Sequence, residues 1–395
     1  MKTPSTYLPS LLSLLFVAMM GASILTLLPL WVGAFTDLGV FSAQQIGWLA
    51  AADVIGIFLS SASAIFWVRR VQWRPMVLIG LTLFLLANLA SIGNTNFPAL
   101  MLNRVLAGIG CGSAYAIALA GLSDQPKPQL AFGLMVTAQV IFGTIGFFAV
   151  PRLIQQLQID AFFHYLNGWL LISILLCILA FPASNREADT RDARQLGTLV
   201  NARALTVFFT TVIYYCGVSA VWAYLERIGV NLGLENAAVG DLLGIGFAIS
   251  GLGSLATPLL SSYLGRIPTL LLAMLVQVAT MAVLIGGTTL DAYLLYATTS
   301  IVFQFFWSFS LPLLMDQFNR IDQSGRFIVL CASAFKIGEI LGPPLAAALI
   351  AAGGFAAVLS LGMGCLLLAL AMGLAVERWQ LPGAGAPVHA EAGAA

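Results

Sequence analysis

Apolar residues run along this chain in blocks of about twenty, separated by polar or Gly/Pro-rich punctuation. A helix rises about 1.5 Å per residue, so such a block crosses the roughly 30 Å of bilayer hydrocarbon. The pattern predicts helical spans with cores near 7–33, 46–67, 75–93, 97–122, 130–154, 163–183, 204–229, 237–263, 267–287, 291–315, 325–351 and 354–376. The first block, from about Tyr7 to Trp31, is longer than a signal-peptide core and reads as a retained span.

The longest polar interruption, SNREADTRDARQLGTLVNAR, follows the sixth span and divides the twelve into two sets of six. The predicted organisation is a first bundle over 1–183, a cytoplasmic linker over 184–203, a second bundle over 204–377 and a disordered cytoplasmic tail over 378–395. A shift of 193 lays Ile46-Gly47 on Val239-Gly240, Pro75 on Pro268 and Pro151 on Pro344, which suggests a duplicated unit. The fold class expected is therefore an all-α membrane protein of twelve transmembrane helices in two pseudo-symmetric six-helix bundles.

Charge sets the orientation. With both termini cytoplasmic, the inner segments hold Lys2, Arg69, Arg70, Arg74, Lys127, Arg186, Arg191, Arg194, Arg203, Arg266, Arg320, Arg326 and Arg378, and the outer ones hold Arg152 and Arg227. This asymmetry is the positive-inside pattern and points to a multi-pass protein of the cytoplasmic (inner) membrane.

Composition narrows the function. Of 395 residues 60% are apolar and only 8% charged, against about a quarter charged in soluble domains. A net charge of +1 leaves no basic face for nucleic acid. Cys111, Cys177, Cys216, Cys331 and Cys365 fall in apolar runs without C-x-x-C spacing, and His164 and His389 stand alone, so neither metal nor cofactor is expected. No H-E-x-x-H, phosphate-binding Gly loop or activated nucleophile argues for an enzyme. A monomer is the default.

Two charges then stand out, in ASAFKIGEILGPPLAA. Lys336 lies eleven residues, or about 17 Å, into its span, and Glu339 follows on nearly the same helical face. A charged side chain at that depth costs roughly 2.5–3.5 kcal/mol on insertion scales. The pair either neutralises itself between helices or faces a solute pathway, where Lys336 attracts an anionic group and Glu339 exchanges a proton. Their repeat mates are Gly143 and Gly146, so the second half carries this pair alone. Arg104 is a second cation within a span, with Cys111 and Tyr115 on its face. Asp53, at similar depth in the second span, is its candidate partner, either structural or protonatable.

LMLNRVLAGIGCG in the fourth span resembles the L-x-x-x-R-x-x-x-G-x-G pattern of the major facilitator superfamily through Leu100, Arg104, Gly108 and Gly110. GEILGPP in the eleventh is similar to its G-x-x-x-G-P element. The loop IFWVRRVQWRP departs from that family's G-x-L-x-D-R-x-G-R-R, with Arg69 in place of the aspartate. The resemblance implies a cavity lined by the first, fourth, seventh and tenth spans, and a link between Arg104 and proton coupling. Tyr215, Ser219 and Trp222 share a face of the seventh span, and Ser300, Gln304 and Trp307 one of the tenth. The expected function is secondary active transport of a small organic anion or zwitterion, coupled to protons. The alternatives are proton-antiport efflux of amphiphilic compounds and a non-transporting solute sensor. The candidate proton carriers are Glu339 and Asp53. The candidate substrate contacts are Lys336, Arg104, Tyr115, Tyr215, Trp222, Gln304 and Trp307.

Overall fold

The computed structural model describes residues 4–183, 202–286, 290–321 and 329–379, and all structural statements concern these. The predicted linker and tail fall almost wholly outside them. All regular structure among the described residues is helical: α1 (Pro4–Thr26), α2 (Leu28–Leu38), α3 (Ala43–Trp67), α4 (Trp73–Leu89), α5 (Phe97–Ser123), α6 (Pro128–Leu157), α7 (Asp160–Ala180), α8 (Ala202–Asn231), α9 (Asn236–Leu264), α10 (Arg266–Gly286), α11 (Ala292–Ile321) and α12 (Val329–Trp379). Ten helices are long and apolar enough to cross a bilayer. With little water to satisfy backbone groups, a helix that bonds its own carbonyls is the natural spanning element.

The twelve elements are not one per span. The first predicted span is broken at Leu27, and Pro29 lies in the first turn of α2, where its missing N–H leaves no bond unmade. Conversely, α12 holds the last two spans. They part at Gly353 and Gly354, the latter at φ +61°, a left-handed conformation that favours glycine. Ser42 and Gln45 close a reciprocal capping box at the start of α3.

α1–α7 form the first bundle and α8–α12 the second, and the two repeat each other's packing. Gly112 of α5 lets the helix close onto Ser60 and Ile57 of α3; 193 residues on, the positions of Gly112 and Ser60 are Phe305 of α11 and Gly253 of α9, which meet with the glycine now on the other helix. Ion pairs repeat as well. Arg69, in the α3–α4 turn, holds Asp124 at the end of α5 at 2.5 and 2.9 Å. That hydrogen bond lifts the Arg69 guanidinium above its ordinary pKa, so its charge persists. Arg266, at the start of α10, likewise pairs with Asp316 near the end of α11, and Glu377 and Arg320 complete a four-residue cluster. Arg69 thus serves as a cation where the resemblance leads one to expect an aspartate.

The halves meet along α2 with α8, α3 with α12, and α6 with α9. The cation-rich face carries the α3–α4, α5–α6 and α9–α10 connections; the opposite, cation-poor face carries Arg152 and Arg227. Hydrogen bonds and ion pairs between the halves run from mid-depth to the cation-poor face. They join Arg152 to Asp241, Arg227 and Asn236 to Asp37, and the Trp222 indole to the Leu25 carbonyl. Gly47 against Pro343 and Ala347, and Gly240 against Phe147 and Pro151, close the same side by backbone approach. The conformation is sealed at its cation-poor end.

Candidate functional site

Glycines orient the Lys336 helix. Gly338 brings α12 onto α8 at Val212, Tyr215 and Cys216, and Gly342 does so at Cys216, Ser219 and Ala220. The Ser219 hydroxyl donates to the Gly338 carbonyl at 3.2 Å. At about 100° per residue, Lys336 projects nearly opposite Gly338, away from α8. Gly338→Val would drive a branched side chain into the α8 backbone. It is expected to lower the melting midpoint of the detergent-purified protein by several degrees, since overpacking costs about 1–3 kcal/mol. An unchanged melt would show that α12 does not rest on α8 there.

Lys336 Nζ donates to Glu339 Oε2 at 2.7 Å, with the side chains 20% and 16% exposed. The pair is therefore neither sealed in packing nor laid out on the surface. Lys336 lies within electrostatic reach of Cys111 on α5, and Glu339 within reach of Tyr115 and Tyr215. A charge pair of the second half thus looks across the seam onto the first. Tyr115 lies over Gly21 of α1 and beside Gln139 of α6, and Tyr215 packs on Phe335 with ring centroids 4.4 Å apart. Toward the cation-poor face, Trp222 stacks on Trp307 at 6.3 Å and 12°, with Phe147 and Phe247 against it. These rings form an apolar floor where the halves touch.

Arg104 and Asp53 meet, but inside the first bundle. Arg104 Nε is 3.4 Å from Asp53 Oδ1, and the side chains are 0% and 1% exposed. Arg104 also donates to Asn88 Oδ1 at 2.8 Å, Asn88 donates to Asn167 at 3.0 Å, and the guanidinium lies 5.3 Å from the Phe163 ring centroid. One polar chain so links α3, α5, α4 and α7. Asp53 Oδ1, two Arg104 nitrogens and Asn167 Nδ2 remain without hydrogen-bond partners. Cys111, donating weakly to the Met20 and Gly21 carbonyls at 3.5 Å, stands within electrostatic reach of both charge pairs. Gln304 is fully buried, its amide against Gly246 of α9 and donating to the Ser300 carbonyl at 3.3 Å. Nearby, Tyr214 donates to Gln277 at 3.1 Å and Gln277 to Ser310 at 3.0 Å.

The structure thus sets Lys336 and Glu339 toward Cys111 and Tyr115 of the first half, with Tyr215 buried behind them between α8 and α12 and Trp222 and Trp307 on the floor beyond. Arg104 and Asp53 lie to one side in the first half and Gln304 in the second. Sequence reasoning missed Asn88, Asn167, Gln277 and Gln139. Their signal was available: a lone amide in an apolar helix, which is what singled out Gln304.

A fold of two repeated bundles, with polar side chains converging where they meet, defines the architecture of a membrane carrier. The family model described as Major Facilitator Superfamily matches residues 11–320, and the chain belongs to that superfamily. It is a transporter and not an enzyme. It is 26% identical over 282 residues to the uncharacterized MFS-type transporter YfhI of Bacillus subtilis, covering 68% of this chain and 69% of that one. It is 21% identical over 323 residues to the inner membrane transport protein YdhP of Escherichia coli, covering 79% and 81%. Among solved structures, the fold is similar to a point mutant of the nucleoside transporter NupG, with TM-score 0.76, 12% identity and coverage of 93% and 99%. It is also similar to a D-xylose-proton symporter, with TM-score 0.68, 15% identity and coverage of 96% and 97%.

Proposed function

We propose that this transporter moves a small organic solute, with a negative group and an apolar or aromatic part, by proton-coupled alternating access. The observation that carries this reading is the Lys336–Glu339 pair, held at the seam between the halves and partly open. Lys336 takes the carboxylate of the solute, which displaces Glu339, and Glu339 then exchanges a proton. Tyr115 and Tyr215 flank the pair, and Trp222 and Trp307 bound the apolar part. Arg104 and Asp53 form a second charge pair inside the first half, and Gln304 stiffens the second half. The proton symporter among the similar structures supports the choice of coupling ion. The cation-rich face is cytoplasmic in this reading and carries both termini of a single chain in the inner membrane.

Proteoliposomes test the proposal by comparing uptake of carboxylates with that of lipophilic cations, with and without an imposed pH gradient. Carboxylate accumulation that follows the gradient is expected; cation exchange alone would favour the efflux reading. Glu339→Gln is expected to abolish gradient-driven accumulation, lowering the inside-to-outside ratio to about one, while substrate counterflow persists. Should accumulation survive in that variant, the proton travels elsewhere, with Asp53 the next carrier to examine.

A further inference from the structure

The sealed end of the seam is built from two arginines that point in opposite chain directions. Arg152 of α6, in the first half, donates to both oxygens of Asp241 of α9 at 2.7 and 2.8 Å. Arg227 of α8, in the second half, grips both oxygens of Asp37 of α2. Each half supplies one arginine and one aspartate, and each bond crosses the seam. Asp37 lines a small crevice with Leu30, Ala34, Pro151, Glu226 and Asn236, the chain neighbours of both arginines among them. The cations of this face among the described residues are thus both occupied by carboxylates of the opposite half.

Parting the halves at this face must break both pairs. The arginines stay on α6 and α8, now flanking the opening, without their cross-seam partners. Arg227 keeps Glu226 of its own helix at 2.5 and 2.6 Å, and Arg152 keeps the Phe148 carbonyl at 2.6 Å. A guanidinium does not lose its proton, and its planar fork matches a carboxylate. We propose that Arg152 and Arg227 form an anion-capturing entrance. The solute's carboxylate takes the places that Asp241 and Asp37 hold when the face is closed, before it passes to Lys336. Arg152 is the stronger of the two, because Glu226 leaves Arg227 already half neutralised. The proposal rests on the reading that the solute is anionic.

The test measures binding of benzoate, and of its neutral counterpart benzamide, to the purified full-length protein in nanodiscs. Asp37→Asn with Asp241→Asn removes the competing carboxylates and is expected to tighten benzoate binding about tenfold. Arg152→Gln is expected to weaken it about fivefold; because Arg152 is 51% exposed, this variant should fold normally, which a melting curve checks. Benzamide should bind equally to all variants. A simple lock makes the aspartate and arginine variants behave alike, so opposite directions are the signature of capture. The entrance is overturned if both variants shift benzoate the same way, if benzamide follows benzoate, or if the wild type does not prefer benzoate. Lys336→Ala keeps the two proposals apart. Loss of benzoate preference in that variant, with Arg152→Gln unaffected, rejects the entrance and keeps the central site. The reverse keeps the entrance and rejects the central site.

Discussion

Lys336→Ala is expected to reduce carboxylate uptake about a hundredfold while the protein stays folded in the membrane. The size follows from the bond that is lost. A hydrogen bond between charged groups is worth about 1.5–3 kcal/mol, and each 1.4 kcal/mol is about a tenfold change in affinity. The folding penalty should be smaller than for an enclosed pair, because Glu339, at 16% exposed, is not fully buried. The glycine contacts that seat α12 on α8 lie on the other face of the helix and remain intact. Radiolabelled uptake and the chromatographic profile of the detergent-solubilised variant measure the two effects separately. Lys336→Arg, which keeps the charge and lengthens the reach, should restore part of the activity. Unchanged kinetics in the alanine variant would remove Lys336 from the substrate path.

The reach of the sequence depended on which physical signal each feature leaves. Spans were legible because hydrocarbon thickness imposes a length on every apolar run, and the pairing of halves because loops and helices recur at one spacing. The break at Leu27 was not, since it leaves hydropathy unchanged, whereas the parting of the last two spans at Gly353 and Gly354 falls where the sequence separated them. Lys336 and Glu339 were found because charge in oil is rare. Their direction needed the structure, which shows Gly338 and Gly342 turned to α8 and leaves the lysine opposite. Pairing of Arg104 with Asp53 was anticipated from depth alone. What depth does not give is azimuth: Asn88, Asn167 and Phe163 draw Arg104 into the first bundle, and Gly246 opens a slot that receives Gln304. The cross-seam pairing of Arg152 and Arg227 was invisible for a related reason. Each looks in sequence like an ordinary cation of an outer loop.

Asp53→Asn is expected to be the most destabilising single change in the first bundle, worse than Arg104→Met. The asymmetry comes from proton chemistry. Without Arg104, the Asp53 carboxylate can take up a proton and become a neutral group. Without the Asp53 charge, Arg104 cannot shed its own and stays a cation at 0% exposure, with Asn88 and the Phe163 ring as its only compensation. Leaving one member of a buried pair uncompensated costs about 3–5 kcal/mol, enough to lose most of the folded protein from a marginal domain. The double variant Asp53→Asn with Arg104→Met removes both charges and should recover much of that loss. Melting curves of the four proteins in one detergent complete the cycle. Recovery in the double variant would show that Asp53 stays ionised to hold Arg104, which leaves Glu339 as the proton carrier. A well-folded Asp53→Asn protein that transports without a pH gradient would mean the opposite. The bundle would then tolerate Asp53 in its neutral form, and the coupling proton would belong to the first half.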